Sequence, residues 1–239
     1  MWRPCGVLAA LTAVVLILAL ALAGCVGDDD DENGGGSAAD KPAATETAPA
    51  EQEAGCKDVP QPEPRDGGGQ KKPKPLDPAK TYEVVLQTSC GEFTIRLDQK
   101  TSPQAAASFA ALSRNGFFDD TIFHRIVPDF VIQGGDPTVS GSGGPGYSTR
   151  DEVPSDAAYE PGVVAMAKAG NEPPGTGGSQ FFVVTGSSTG LTPDYALLGK
   201  VTDGIDVVRA IGELGDPASG GAGTPLQSVV VEEASVRER

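Results

Sequence analysis

The sequence predicts a mainly β domain, an antiparallel barrel with helical caps, behind a long N-terminal segment of different character. Three observations carry that expectation. Short β-branched and aromatic runs recur between Gly, Pro and Asp turns from residue 82 onward. Two stretches keep helical spacing, and both are short. No internal repeat is visible, so the strands belong to one sheet system rather than to an array.

Taken in order, the runs YEVVLQT (82–88) and EFTIRL (92–97) flank Ser-Cys-Gly, which is a hairpin signal. A helix follows over roughly 103–115. Ser102 suits its N-cap, Pro103 its first position and Gly116 the position after its end. Ala106, Phe109, Ala110 and Leu112 keep the spacing of one helix face. Then come TIFHRIV, FVIQG, GVVAMA, SQFFVVT and YALLGKV as strands, a second short helix over roughly 205–211, and a final strand near 227–231.

The N-terminal segment divides in two. Residues 1–24 carry Arg3, then no charge over 7–23, and end in Leu22-Ala23-Gly24-Cys25. A basic start, an apolar run and small residues form the layout of an export signal. Leu-Ala-Gly-Cys resembles the lipobox of bacterial lipoproteins, which makes Cys25 the expected lipid-bearing N-terminus. An uncleaved membrane anchor is the competing reading, and both readings leave the rest of the chain tethered outside the cytoplasm. Residues 25–80 contain DDDDE, GGGS and GGGQKKPKP with almost no large apolar side chains. Such a composition predicts a disordered tether, reaching roughly 40 Å. Cys5 leaves with the signal, and Cys56 and Cys90 remain. In an oxidising compartment the pair suggests a disulfide, although two free thiols would look the same.

The domain, 81–239, holds 20 acidic and 10 basic residues. A net charge of −10 excludes a nucleic-acid partner, which needs a basic face, and adsorption to anionic lipid. Other chemistries fail on residue types. GSGGPG (141–146) and GTGGSQ (175–180) neither open a helix nor carry the Lys-Ser/Thr of a phosphate loop. One histidine and no cysteine cluster leave no metal site. No serine lies in a nucleophile elbow to pair with His124. No cofactor is expected.

Four blocks in order, FHRIVPDFVIQGGDP (123–137), VVAMAKAG, GGSQFFVVT and YALLGKV, closely resemble the core of the cyclophilin-type peptidyl-prolyl isomerases. The resemblance covers nearly all of the domain. It implies a closed eight-stranded antiparallel β-barrel capped by two α-helices. It places Arg125 at the catalytic arginine, Phe130 at the phenylalanine of the proline pocket and Gln133 at the groove glutamine. Val131, Ala167, Lys168, Gln180, Phe182, Leu191 and Tyr195 fall on substrate-strip and pocket-wall positions. Several positions depart from the family. Val131 replaces a common methionine and Lys168 a common asparagine. Tyr195 stands where the best-known members have histidine, and Gly190 where cyclosporin-sensitive members have tryptophan.

Those residue types suit the implied reaction. Peptide rotation must break amide resonance, a barrier of about 18–20 kcal/mol, with no covalent or proton-transfer step. An isomerase need only bind the twisted amide better than either planar form. In the twisted state the prolyl nitrogen regains a lone pair, to which a guanidinium such as Arg125 can donate. Adjacent strand residues face opposite sides, so His124 is expected to be a packed or hydrogen-bonded neighbour and not a base. The expected function is isomerisation of X–Pro bonds in unfolded exported proteins by a monomer lipid-anchored at the outer face of the cell membrane. The alternative is a proline-peptide-binding chaperone with little turnover. A solute-binding lipoprotein is disfavoured, because the domain is too short for two lobes.

Overall fold

The computed structural model of the chain describes residues 55–239. The signal peptide, Cys25 and the first half of the expected tether lie outside the described residues. Strands β1 (Tyr82–Thr88) and β2 (Gly91–Leu97) form the expected hairpin, with Val84 opposite Ile95 and Leu86 opposite Phe93. Helix α1 (Pro103–Arg114) follows, then β3 (Thr121–Ile122), β4 (Arg125–Val127), β5 (Val131–Gly134) and β6 (Thr149–Arg150). Next are β7 (Val163–Met166), β8 (Thr176–Gly177), β9 (Phe181–Val184) and β10 (Leu197–Asp203). Helix α2 (Ile205–Gly212), a 3-10 turn (Pro217–Ala222) and β11 (Val230–Glu238) complete the chain.

The strands make the expected mainly β domain, with nine strands in the main sheet in place of the eight that were expected. They form one curled nine-stranded antiparallel sheet in the order β3-β11-β1-β2-β10-β7-β9-β5-β4, plus the pair β6-β8. An isolated bridge from Ile122 to Asp136 is the link observed between the β3 end and the residues after β5. Inside the curl, Phe109 packs edge-on against Phe181 at 5.1 Å, and Phe181 against Phe123 at 6.0 Å. Phe93, Phe118, Ile126, Ile132 and Val183 lie in the same solvent-free cluster.

Three further expectations need correction. Ser102 occupies the N-cap of α1, but its hydroxyl makes no capping bond and is buried without a partner. The capping carboxylate comes from Asp151, which accepts from the backbone N–H of Gln104 (3.0 Å) and of Ala105 (2.8 Å). The far end behaves as expected. Gly116 has φ 65°, its N–H bonds Ser113 O, and Phe117 N–H reaches back to Leu112 O. The last strand is longer and lies further along than 227–231. Its outward side chains are charged, so it reads as a tail, yet its backbone pairs with β1 from Tyr82–Glu238 onward.

The third correction concerns the tether. Residues 55–80 have no regular secondary structure, but they lie on the domain as a strap. Cys56 is disulfide-bonded to Cys90, and Lys57 N–H bonds Ser89 O. Arg65 donates through Nη2 to Phe117 O (2.5 Å) and Asp119 O (2.7 Å), with its guanidinium 5.9 Å from the Phe117 ring centre. The folded unit therefore includes residues 55–80, which the sequence assigns to the tether. Composition predicts disorder by counting apolar side chains, and this strap is held by backbone bonds, one arginine and a disulfide instead. Among the described residues, no helix is long and apolar enough to cross a membrane.

Asp151→Ala removes both capping bonds and should lower stability by about 1–2 kcal/mol, or roughly 3–8 °C in melting temperature. Ser102→Ala should leave it unchanged or raise it, because that buried hydroxyl makes no bond to lose. Thermal melts of the two variants against wild type check the assignment.

Candidate functional site

The site is built on a four-strand row. Arg125 of β4 lies directly opposite Gln133 of β5, Gln133 opposite Phe182 of β9, and Phe182 opposite Ala165 of β7. Side chains alternate along a strand, so these residues share one face. The row one residue on, Ile126, Ile132, Val183 and Val164, turns to the other face and is fully buried in the main core. The same ladder thus separates two apolar clusters. The second holds Val131, Tyr159, Ala165, Phe182 and Val184, with Phe130, Ala167, Leu191 and Tyr195 partly exposed around it. Phe130, Val131, Phe182 and Leu191 thus lie together in this cluster.

Polar groups border it in a fixed order. Arg125 donates through Nη1 to Gln133 Oε1 at 3.4 Å, and through Nε to Gly221 O at 3.1 Å. Gln133 donates through Nε2 to Gln180 Oε1 at 3.2 Å, and Gln180 through Nε2 to Gly143 O at 3.1 Å. Arginine can only donate, so it fixes which way Gln133 points, and Gln133 in turn fixes Gln180. The Arg125 guanidinium lies 5.8 Å from the centre of the Phe130 ring. Burial pulls its pKa below the ordinary value, which Tyr195 partly opposes. The group nonetheless stays cationic, as arginine does throughout the accessible pH range.

The remaining expected residues are placed as follows. Ala167 N–H bonds Gln180 O at 2.9 Å, which puts its backbone at the groove edge. Lys168 lines the groove, but its side chain is only 4% exposed and its ammonium is drawn into an ion pair with Asp194 at 2.9 Å. Tyr195 stands edge-on to Phe182, ring centres 5.3 Å apart, and Leu191 closes the rim. His124 is packed and has no bond at Nδ1. Burial holds its pKa below the usual 6.5, with Asp136 opposing and Arg125 reinforcing that direction. Among the described residues, no group of three His, Cys, Asp or Glu side chains could hold a metal.

Two residues escaped the sequence reading. Tyr159 donates its hydroxyl to Tyr195 O at 2.7 Å and receives Tyr195 N–H at 3.0 Å, which pins the Tyr195 segment to the second cluster. Asp136 is fully buried under the groove loop. Its carboxylate accepts from Thr138 N (2.7 Å), Thr138 Oγ1 (2.7 Å) and Gly143 N (3.1 Å). Burial works to raise its pKa, and these bonds outweigh that effect and lower it. Asp136 so presents Gly143 O to Gln180. A loop tyrosine and a post-strand aspartate carry no periodic signal. Nothing short of the folded loop points to them.

Residues 83–236 match the family model described as cyclophilin type peptidyl-prolyl cis-trans isomerase. A peptidyl-prolyl cis-trans isomerase of Arabidopsis thaliana is 40% identical over 136 residues, 55% of this chain and 81% of that protein. The peptidyl-prolyl cis-trans isomerase-like 1 of Mus musculus is 40% identical over 142 residues, 58% of this chain and 84% of that protein. The crystal structure of a Cryptosporidium parvum cyclophilin-type isomerase, determined in the presence of the dipeptide Ala-Pro, superposes with TM-score 0.58 at 31% identity, covering 65% of this chain and 98% of that one.

The His124 environment generates a pH prediction. The folded state resists protonating this imidazole, while the unfolded chain takes up the proton near the usual 6.5. Its contribution to stability is full above that pH and is lost as the pH falls toward the lower folded value. Melting temperature should therefore decline as the pH is lowered from about 6.5 to 5. His124→Gln should remove that part of the slope, and an unchanged slope in the variant would contradict the assignment.

Proposed function

The chain belongs to the cyclophilin-type peptidyl-prolyl cis-trans isomerases, and on that premise we propose that Arg125, Gln133 and Phe130 accelerate X–Pro rotation in exported proteins outside the cytoplasm. Phe130, Val131, Phe182 and Leu191 hold the prolyl ring. Gln133, with Gln180 behind it, bonds the peptide backbone and keeps one side of the amide still while the other turns. Arg125 donates to the prolyl nitrogen as it becomes pyramidal. A planar amide nitrogen has no such lone pair to offer, so this bond strengthens only in the twisted state and lowers the barrier. No proton is transferred, which suits a chain whose one histidine, His124, is half-buried and has no bond at Nδ1.

The observation that carries this reading is the directional chain from Arg125 through Gln133 to Gln180, set beside an apolar cluster that contains Phe130 and Phe182. The Arg125–Gln133 bond is long, at 3.4 Å, and is easily exchanged for a bond to substrate. A module that only held proline peptides would have no use for a donor aimed at the twisted state.

The extracytoplasmic setting is proposed on two grounds: the lipobox ending at Cys25, and the Cys56–Cys90 disulfide, a bond of oxidising compartments. Lipid on Cys25 anchors the chain to the membrane's outer face, where it acts as a monomer on unfolded chains after translocation.

In an isomerisation assay with a short X–Pro peptide, Arg125→Ala should lower kcat/KM about a hundredfold. Retention of the wild-type rate would remove Arg125 from the reaction. Cyclosporin should inhibit weakly, because Gly190 offers no indole, and a titration giving tight inhibition would contradict the placing of that loop. Metabolic labelling with a palmitate analogue should mark the wild-type chain and leave Cys25→Ser unmarked and released from the membrane fraction.

A further inference from the structure

A groove of about 660 Å³ opens beside Gln133 and Gln180, walled by three separated parts of the chain. Gln133 of β5, with residues of 167–172 just after β7 and Gln180 just before β9, forms the first part, and the loop 141–148 supplies a second. The third is the strap, through Asp66 and Gly68. Strap and loop are built as one piece. Arg65 N–H bonds Pro137 O at 2.9 Å and Gln70 N–H bonds Pro145 O at 3.0 Å, so the strap grips the loop at both ends. Their backbones are also in close contact. A Cβ on Gly67 would stand 2.4 Å from Pro137 Cγ, and one on Gly146 2.8 Å from Gly69 N.

The charge of this groove is unbalanced. Its lining holds one cation, Lys168, and two carboxylates, Asp66 and Glu172. Lys168 is ion-paired with Asp194 at 2.9 Å, and its ammonium also donates to Glu172 O at 3.1 Å, so its charge is already engaged. Asp66 accepts only Gly68 N–H (2.8 Å) through Oδ1, and Glu172 only Ala169 N–H (2.6 Å) through Oε2. Among the described residues, neither carboxylate is ion-paired with a Lys or Arg.

We propose that the strap is part of the substrate site. A peptide passing Gln133 and Gln180 lays a side chain near its proline into this groove, and Asp66 together with Glu172 selects a basic one. The inference rests on the isomerase reading of the neighbouring residues and adds a selectivity that the curled sheet alone lacks. Both carboxylates are reached by solvent, so their attraction is moderate and screened by salt.

The test uses the full-length chain and X–Pro peptides carrying Lys, Ala or Glu two or three residues from the proline, on either side. The measured quantity is the ratio of kcat/KM for the Lys peptide to that for the Glu peptide. At one of these positions the ratio should reach about three- to tenfold in wild type at low salt and shrink as salt is raised. Asp66→Asn should reduce it by about half or more, and Arg65→Ala, which unfastens the strap without touching a groove charge, should reduce it as well. A ratio near one at every position, or one unmoved by Asp66→Asn and Arg65→Ala, overturns the inference while leaving the isomerase reading intact. Failure of wild type to turn over even the Ala peptide would overturn both.

Discussion

The register of β4, β5 and β9 is the constraint on which the rest of the molecule depends. With Arg125 opposite Gln133 and Gln133 opposite Phe182, a donor, an amide and an aromatic wall are brought to one face by backbone bonds alone. The intervening residues, Ile126, Ile132 and Val183, are fully buried in the core on the other face. A one-residue slip would exchange the two sets, placing a guanidinium in the core and three aliphatic chains in the groove. The penalty for burying that charge protects the site's geometry, so the fold and the site are specified by the same interaction.

Around that ladder, polar groups take up positions that only their neighbours can impose. Arg125 orients two glutamine amides in succession, and the chain ends on Gly143 O. That carbonyl is presented by a loop wound on the buried carboxylate of Asp136. The loop includes Val139 at φ 60°, a conformation β-branched residues avoid, which Asp136 and its bonds hold in place. On the far side of the loop the strap fixes Pro137 and Pro145. Order therefore passes from Arg125 to the N-terminal segment through hydrogen bonds, with no helix and little regular structure involved.

Much of this was legible beforehand, for reasons that differ between residues. Strand pairs such as β1 and β2 announce themselves because one side of each is buried, which imprints alternation on the sequence. Arg125, Gln133 and Phe182 were readable because their neighbours match a family pattern. Periodicity alone would have left Arg125 as half of a surface ion pair. What was missed depends on contacts distant in sequence. The cap of α1 comes from Asp151, whereas the local signal named Ser102. The charged face of β11 hid the extension of the expected last strand past residue 231, where it pairs with β1. The strap looked disordered because its anchors, Arg65 and Cys56, are single residues in a polar stretch. The ion pair of Lys168 with Asp194 also went unread, since the two are far apart in sequence.

The central claim is that Arg125 acts on the twisted amide and contributes little to holding the planar one. The most direct test is exchange NMR on an X–Pro peptide, giving the affinity and the on-protein rate of rotation from one sample. For Arg125→Ala the account predicts an affinity within about threefold of wild type and a collapse of the on-protein rate. An affinity that falls in step with the rate would contradict it, since Arg125 would then bind both states alike.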